Sequence, residues 1–309
     1  LTAWRDGARY VEQIEPVDLM ESKADPITIR PQGVYVITGG TGGLGLAVGQ
    51  WLATKGKVTL GLLGRTQLPP KEQWETIAYA DSNISPSFRQ SSKPNMDTKI
   101  LNTITALLEL ERQGAQVEYY AVDVADEAAM KQAMNEFRHK YGAIHGIIHA
   151  AGVAGDGYMA LKSQDRFNEV LAPKITGTHV LDRITASDTL DFFILFSSVT
   201  SLTGGPGQSD YTAANAYLDA FAEWRNQSGH RTLSINWAPW QETGMAFEHK
   251  VDFQESLFHA LSTQEGLAAL EQLLLHPVSR VIVGGLHYAQ VAALDSTAIP
   301  FGLSHEMRA

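Results

Sequence analysis

The 309-residue sequence predicts an α/β fold with a doubly wound, parallel sheet of seven strands. Seven short runs of apolar residues, rich in β-branched and aromatic side chains, are nearly continuous, as expected for strands buried on both faces. Helical patterns separate these runs, so crossover helices can join consecutive parallel strands. A glycine-rich turn links the first run to the first helix, and doubly wound sheets bind ligands at such turns.

The predicted elements alternate along most of the chain. We expect strands at residues 33–38, 58–64, 117–124, 144–152, 190–198, 231–237 and 279–286. We expect helices at residues 43–55, 98–113, 126–140, 163–185, 209–227 and 263–275. Because this alternation fills residues 33–290, we interpret them as the main domain.

Three segments lie outside the alternation. Residues 1–32 resemble the end of a hairpin followed by a linker with prolines, and residues 291–309 are expected to be a C-terminal linker. Residues 67–97 are rich in Pro, Ser and Asn, and we interpret them as a surface insertion that is partly helical. The chain begins with leucine, so we expect it to be an excised piece of a longer protein.

The composition disfavours several classes of function. The net charge of −10, without a long basic run, argues against nucleic acid as a partner. The absence of cysteine removes disulfides and thiolate metal sites, and we expect no metal. No apolar run approaches the roughly 18 residues of a membrane span, and the N-terminus lacks the apolar core of a signal peptide. We therefore expect a cytoplasmic protein.

The first strand ends in a glycine pattern, T-G-x-x-x-G-x-G, that is typical of dinucleotide sites. Glycines here allow positive φ and bring the backbone close to a pyrophosphate at the positive end of the next helix. The alternative is an ordinary glycine-rich turn, but its position at the first strand and helix favours a dinucleotide site. The predicted binding residues are Thr38, Gly39, Gly40, Thr41, Gly42, Gly43, Leu44 and Gly45.

The ends of the next strands suggest which dinucleotide binds. Arg65 stands where an NAD site would usually have a carboxylate, and its guanidinium suits the 2′-phosphate of NADPH. The alternative is a solvated loop arginine. Asp123 and Val124 end the third strand, where an adenine would lie. The small residues Ala150, Ala151 and Gly152 leave room for the cofactor, whereas His149 is expected to be a packed strand residue.

Ser198 and Tyr211 form the candidate reactive pair. Ser198 closes the fifth strand, and Tyr211 follows 13 residues later on the next helix, so both can reach one carbonyl oxygen. A tyrosine acid needs a nearby cation to stabilise its phenolate, but the position four residues later is Asn215, not lysine. Lys162 and Lys174 remain as candidates. Pro173 is expected to break or kink the helix just before Lys174.

Several strings resemble the short-chain dehydrogenase/reductase superfamily, whose fold is Rossmann-type, and more closely the ketoreductase domains of modular polyketide synthases. They are "VYVITGGTGGLG", "LLGR", "HAAGV", "VLAPKITGTHVLD", "FILFSSVTSLTGGPGQSDYTAANAYLDAFA" and "INWAPWQETGM", in order across residues 33–245. In that family the lysine and asparagine of the usual tetrad have exchanged places. The resemblance therefore implies a tetrad of Lys174, Ser198, Tyr211 and Asn215.

The resemblance also implies the reaction. NADPH would reduce the β-keto group of a chain carried as a thioester on the phosphopantetheine arm of an acyl carrier protein. Ser198 would bind the ketone oxygen and Tyr211 would protonate it. Lys174 would lower the tyrosine's pKa and hold the nicotinamide ribose, together with Tyr211, while Asn215 would fix a water or Lys174. Pro239 would lie near the nicotinamide, and "WAPWQETGM" with the following helical stretch around 251–260 would form the lid over the substrate.

Stereochemistry is implied by two positions of the family. An "LDD" string after "HAAGV" marks the type that gives the D (3R) alcohol, and here Ala154, Gly155 and Asp156 stand there. The opposite type has a tryptophan where this chain has Thr203. We expect the D alcohol, and Ala213 in place of proline favours a product that is not epimerised. The expected substrate and stereocontrol residues are Asp156, Thr203, Gln208, Trp240 and Met245.

Two alternatives compete with an active ketoreductase. An epimerase or dehydratase on the same scaffold would often use NAD and keep the lysine after the tyrosine, so Arg65 and Asn215 speak against it. An inactive domain kept for its interfaces would not need the complete tetrad. The family also has an N-terminal structural half-domain, and residues 1–32 look like its tail. The expected partners are the acyl carrier protein and the other domains of a parent synthase.

Overall fold

The structure is a computed structural model that describes residues 2–18, 26–82, 98–155, 157–251, 256–276, 278–293, 301–304 and 307. Its strands are β1 (Thr2–Arg5), β2 (Ala8–Val11), β3 (Gln13–Ile14), β4 (Val34–Thr38), β5 (Thr59–Gly64), β6 (Gln116–Ala121), β7 (Gly146–His149), β8 (Phe192–Ser198), β9 (Thr232–Trp237), β10 (Arg280–Val283) and β11 (Gly302–Leu303). Its helices are α1 (Gly43–Ala53), α2 (Trp74–Ser82), α3 (Thr98–Arg112), α4 (Glu127–Tyr141), α5 (Gln164–Lys174), α6 (Thr176–Ile184), α7 (Thr200–Thr203), α8 (Ser209–Gln227), α9 (Met245–Glu248), α10 (Thr263–Leu274) and α11 (Tyr288–Ala293). Single turns of 3-10 helix lie at Lys71–Gln73 and Met159–Leu161.

Seven strands form the predicted parallel sheet, in the order β10-β9-β8-β7-β4-β5-β6. Strand β4 pairs with β5 on one side and β7 on the other, so the strand order reverses between β4 and β7. This is the switch point at which doubly wound sheets bind ligands. The predicted doubly wound, Rossmann-type fold is confirmed. Its strands are shorter than predicted where apolar residues continue into the turns that follow.

Burial explains why the apolar runs become strands. All five residues of β4 are buried, and the ring of Tyr35 stacks on Phe192 at a centroid distance of 5.5 Å. A side chain at Gly146, on the neighbouring strand β7, would overlap the Phe192 ring, so glycine is required there. Strands packed on both faces in this way need continuous apolar sequence, which is the pattern that identified them.

Polar residues set the ends of several helices. The side chain of Asp126 accepts a hydrogen bond from Ala129 N at the start of α4, and Gly142, with a φ of 84°, ends that helix. Ser262 and Glu265 form a reciprocal capping box at the start of α10. These caps satisfy backbone groups that have no partner within a helix.

Of the break or kink predicted at Pro173, just before Lys174, the structure shows no break. Helix α5 continues through Pro173 to Lys174, and Ile175 N still donates to Leu171 O at 2.8 Å. The single helix expected over 163–185 is therefore two helices, divided after Lys174. A proline removes only its own backbone donor, and near the end of a helix this loss leaves few later hydrogen bonds to disrupt.

The chain divides into two compact units. Unit 1 comprises Leu1–Thr28, Val153–Ile175 and Ile194–Ala309, and unit 2 comprises Ile29–Gly152 and Thr176–Phe193. In unit 1, β1 and β2 form the expected hairpin, with Asp6 and Gly7 at its turn at φ values of 50° and 77°. Strand β11 pairs in parallel with β3 of the N-terminal segment, so part of the expected C-terminal linker is a strand.

The segment predicted as an insertion contributes ordered structure to unit 2. Helix α2 lies within it, and the buried Trp74 donates its indole N–H to Pro69 O at 2.8 Å. The side chain of Lys71 donates to Val117 O at 2.5 Å and pairs with Glu111 at 2.6 Å. Residues 83–97 of the insertion lie outside the described residues.

Candidate active site

Tyr211 lies on the first turns of α8 in unit 1, and its phenol meets two of the predicted partners. The hydroxyl of Ser198, at the end of β8, and the amide of Asn215, one turn along α8, both hydrogen-bond with the phenol. Burial raises the pKa of Tyr211 above its ordinary value of 10, and these two hydrogen bonds oppose that rise. The phenol is therefore protonated at neutral pH, as a proton donor must be.

Asn215 is fully buried, and both its side chain and its backbone oxygen form hydrogen bonds. Its side-chain N–H donates to Tyr211 O at 2.8 Å, and its own backbone oxygen accepts from the Ser197 hydroxyl at 3.1 Å. Its side-chain oxygen, Oδ1, is buried and has no hydrogen-bond partner in the described part of the chain. A buried acceptor of this kind costs free energy unless a ligand or water satisfies it.

Lys174 is a buried lysine on α5, a helix that packs against α8. Its side chain is 3% exposed, and its ammonium donates to Phe196 O at 2.7 Å. Burial lowers the pKa of Lys174 from 10.5 to about 8, and the charge of Asp219 opposes part of this fall. Lys174 is thus still mainly protonated at pH 7.

Asp219 is a buried carboxylate that the sequence reasoning missed. Its oxygens accept hydrogen bonds from Ser201 Oγ at 2.8 Å, from Ser234 Oγ at 2.7 Å and from Asn236 Nδ2 at 2.8 Å. These donors come from α7 and β9, and the guanidinium of Arg280 on β10 lies 3.5 Å away. A buried carboxyl group needs such hydrogen-bond partners, and Asp219 has them on both of its oxygens. The sequence signal that could have indicated this buried polar cluster is the presence of Ser234 and Asn236 in the otherwise apolar strand β9.

Lys162, the other candidate lysine, forms a buried ion pair in unit 1. Its ammonium lies 2.6 Å from Asp210 Oδ2 and 3.2 Å from Gly207 O. Asp210 directly precedes Tyr211, and the sequence reasoning gave it no role.

The residues expected to contact substrate occupy different environments. Thr203 ends α7 and donates its hydroxyl to backbone oxygens, and Gln208 precedes α8. Met245 begins α9 and is partly buried. Trp240 is 3% exposed and packs edge-on against Trp237 at 5.3 Å, which favours a packing role over the predicted substrate contact.

Three further expectations concern positions around these residues. Asp156 lies outside the described residues. Pro239 accepts a backbone hydrogen bond from Leu261 N at 2.8 Å. The helix expected around 251–260 is absent at residues 256–260, and a one-turn helix lies earlier, at α9. Because Phe258 there pairs with Leu286 in an antiparallel bridge, its backbone is extended instead of helical.

The glycine turn of unit 2 fits a nucleotide phosphate. Gly39 has a φ of 65°, and a Cβ there would lie 2.9 Å from the backbone of Ala150 and Ala151. A Cβ at Gly45 would overlap Gly39 O. Helix α1 has Gly42 as its N-cap residue, with no side-chain cap and no acidic residue in its first turn. The positive helix end is therefore available to an anion.

The other predicted cofactor residues surround this turn within unit 2. Thr38 bonds His149 Nδ1 at 2.6 Å and accepts from Ala151 N at 3.3 Å, so His149 is the packed strand residue that was expected. Asp123 Oδ1 accepts from Ala125 N at 2.9 Å, and Val124 is buried. The remaining predicted residues of the turn are Gly40, Thr41, Gly43 and Leu44, while Gly152 ends the segment after β7.

Arg65 follows directly after β5 and is exposed, as a residue that meets a cofactor phosphate must be before binding. Among the described residues, no cluster of three or more acidic or histidine side chains is arranged to hold a metal. Likewise, none of the described helices has the length and apolar character needed to cross a bilayer.

Comparisons with known proteins agree with this architecture. The family model for the KR domain matches residues 33–242. A 6-methylsalicylic acid synthase of Aspergillus terreus is 38% identical over 247 residues, which are 78% of this chain and 13% of the synthase. A phenolphthiocerol/phthiocerol polyketide synthase protein of Mycobacterium tuberculosis is 36% identical over 253 residues, 81% of this chain and 12% of that protein. The chain thus spans only about an eighth of these relatives.

Solved structures show the same likeness. A ketoreductase domain from the bacillaene assembly line has a TM-score of 0.72 and 30% identity, with 95% of this chain and 65% of that chain covered. The first ketoreductase of the tylosin synthase has a TM-score of 0.74 and 25% identity, covering 98% and 58%. The short-chain dehydrogenase/reductase fold of these domains implies a nicotinamide cofactor, which the glycine turn fits. The chain therefore belongs to the KR-domain family, the ketoreductase domains of polyketide synthases, and is an oxidoreductase.

Proposed function

We propose that this chain uses NADPH to reduce the β-keto group of a polyketide intermediate, carried on an acyl carrier protein, to a β-hydroxyl group. One observation carries the proposal: the phenol of Tyr211 meets both Ser198 and Asn215, while the buried ammonium of Lys174 lies on a helix that packs against the same α8. A phenol, a hydroxyl and a buried cation are the groups needed to protonate a carbonyl oxygen during reduction.

The proposed steps follow from the protonation states. Bound NADPH supplies the hydride that adds to the keto carbon. Ser198 donates a hydrogen bond to the ketone oxygen, and Tyr211, protonated because burial raises its pKa, transfers its proton to that oxygen as negative charge develops. The phenolate that remains is stabilised by the ammonium of Lys174, which Phe196 O and the charge of Asp219 help to hold. The keto carbon is reduced, and the product is a neutral alcohol.

Arg65 supports the choice of NADPH over NADH. It is exposed directly after β5, the strand that follows the glycine turn and its helix. A guanidinium can hold a ribose 2′-phosphate in a bidentate geometry, whereas a site for NADH usually has a carboxylate. Asp123, the carboxylate among the predicted cofactor residues, instead accepts a hydrogen bond from Ala125 N just after the next strand, β6.

The proposed product is the D (3R) alcohol without epimerisation. Thr203 supports this assignment, since its small side chain turns back onto Val199 O and Gly204 O where the opposite type has a tryptophan. Ala213 on α8 is exposed and is not the proline that accompanies epimerisation. The proposed partners are the acyl carrier protein and other synthase domains, in keeping with relatives that are large polyketide synthases.

The test measures NADPH oxidation with a panel of β-ketoacyl thioesters, followed by chiral analysis of the alcohols. Wild type should consume NADPH with at least one thioester and form mainly the 3R alcohol. Tyr211→Phe should abolish reduction while NADPH still binds, and Tyr217→Phe, on the same helix, should retain reduction. No NADPH consumption with any thioester would reject reduction as the function. Near-normal turnover of Tyr211→Phe would reject Tyr211 as the acid.

A further inference from the structure

The buried ion pair of Lys162 and Asp210 has no part in the proposed chemistry. The two side chains are only 4% and 0% exposed, and their charged atoms lie 2.6 Å apart. The ammonium of Lys162 also donates to Gly207 O at 3.2 Å, in the turn that leads into α8. Lys162 directly follows the 3-10 turn Met159–Leu161, so the pair ties residues 157–162 to the start of the helix that carries Tyr211.

Asp210 connects this pair to the catalytic tyrosine. Its second oxygen, Oδ1, accepts a hydrogen bond from Tyr211 N at 2.9 Å. The carboxylate therefore accepts from the Lys162 ammonium with one oxygen and from the tyrosine backbone with the other. Charge-assisted hydrogen bonds of this kind are short and directional, so they fix the backbone at which the Tyr211 side chain begins.

Gly155 shows that the same carboxylate shapes the neighbouring segment. A Cβ at Gly155 would overlap Asp210 Oδ1 and would lie 3.1 Å from Tyr211 Cβ. The carboxylate thus fills the space that a side chain at residue 155 would need. A second close approach lies nearby, since a Cβ at Gly207 would be 3.2 Å from Gly157 N. We call Lys162, Asp210, Gly155 and Gly207 the clamp.

The clamp is an unusual way to join two segments. Two charges in an apolar interior must offset the cost of leaving water, and an apolar pair of similar volume often stabilises a fold as well or better. Buried ion pairs are retained in some proteins because they select one arrangement over others. Here the selected arrangement places Gly155 directly beside Tyr211, and Gly157 beside Gly207.

We propose that the clamp is a positioning device that sets how the ketone is presented to Tyr211 and hence which face is reduced. This inference rests on the proposed function. Lys162 and Asp210 are buried, so we infer that they act through the positions of Tyr211, Gly155 and Gly157. Small displacements of a reacting geometry, of about 1 Å, can lower rates by about 100-fold without a change in the catalytic groups.

Two variants distinguish an effect on the position of Tyr211 from a loss of folding. Lys162→Gln removes the charge but keeps a donor, while the double variant Lys162→Met with Asp210→Leu replaces the pair by an apolar contact that is expected to fold. Arg166→Gln is the matched control, since Arg166 forms an exposed pair with Glu169 on α5. All are made in the full chain and compared with wild type by thermal unfolding and by NADPH titration.

The first measurement is hydrogen exchange of the backbone amides, which needs no turnover. In both clamp variants the amides of residues 157–162 and 207–211 should exchange at least 10-fold faster, while those of α3 and α4 should be unchanged. Unchanged exchange in the clamp segments of both variants would overturn the proposal, whatever the activity.

The second measurement is steady-state reduction of the best β-ketoacyl thioester with chiral analysis. We expect kcat to fall about 10- to 100-fold, with KM and NADPH affinity within about 3-fold, and the minor alcohol to rise from a trace to a substantial share. Faster exchange with unaltered kcat and alcohol ratio would overturn the positioning role and leave a purely structural pair. If wild type reduces no thioester, the proposed function fails and the inferred facial control falls with it, whereas the exchange data still decide whether the clamp joins the two segments.

Discussion

Replacing Lys174 by methionine tests the electrostatics of the proposed site through protein stability. The ammonium is 3% exposed, and burial lowers its pKa from 10.5 to about 8. Between these two values the unfolded chain binds a proton that the folded chain has released, so the free energy of unfolding rises with pH. At pH 7 both states are protonated and the cost of burying the charge is fully present. It is relieved as the pH rises from about 8 to above 10.

The magnitude follows from the two pKa values. A difference from 10.5 to about 8 corresponds to about 3 kcal/mol at about 1.36 kcal/mol per pKa unit, and about 2 kcal/mol of this is relieved between about pH 7 and about pH 9.5. Lys174→Met has no such group. Between about pH 7 and about pH 9.5, the free energy of unfolding of wild type should therefore rise by about 2 kcal/mol relative to that of Lys174→Met, by linkage.

The assay is urea unfolding of both proteins at these two pH values. The difference between their free energies of unfolding cancels the contribution of groups that titrate alike in both. Lys131→Met, an exposed lysine on α4, is the control and should follow wild type at both values. If Lys174→Met and wild type changed in parallel with pH, Lys174 would not be held at a depressed pKa, and its role as a tuned cation would have to be abandoned.

Two further predictions concern the cofactor turn. Gly45→Ala should weaken NADPH binding at least 10-fold in a fluorescence titration, because its Cβ would overlap Gly39 O, whereas Gly49→Ala, whose Cβ would meet Leu110 at 3.5 Å, should bind normally. Equal binding by the two variants would contradict the proposed fit of the turn. Arg65→Ala should weaken NADPH much more than NADH, and an unchanged ratio of the two affinities would remove the argument from the 2′-phosphate.

The sequence predicted the sheet well because its signals are local. Each central strand is buried on both faces, so continuous apolar runs mark it without reference to the rest of the chain, as in β4. The glycine turn was found for the same reason, since its conformation depends on a few consecutive residues. A proline rule predicts a break or kink just before Lys174, but α5 continues through Pro173 without a break because only one backbone hydrogen bond is lost there.

The buried charges were the least predictable part of the site. Lys162 and Asp210 are 48 residues apart, and charged residues are almost always exposed, so residue type alone assigns both to the surface. The partners of Asp219 likewise come from α7, β9 and β10, which only the fold brings together. Lys174 was assigned by resemblance, since its pattern alone would also have suggested a surface lysine.

Burial acts on the two titrating groups of the proposed reaction in a way that links them. It raises the pKa of the Tyr211 phenol and lowers the pKa of the Lys174 ammonium, because it penalises an isolated phenolate and an isolated ammonium alike. The charge of Asp219 offsets this penalty for the ammonium alone. The site thus keeps a cation ready at neutral pH and leaves the phenol neutral until a ketone oxygen needs its proton. In the proposed reaction, the ammonium of Lys174 is the cation that would stabilise the phenolate left on Tyr211, so that the proton transfer would not leave an isolated buried anion.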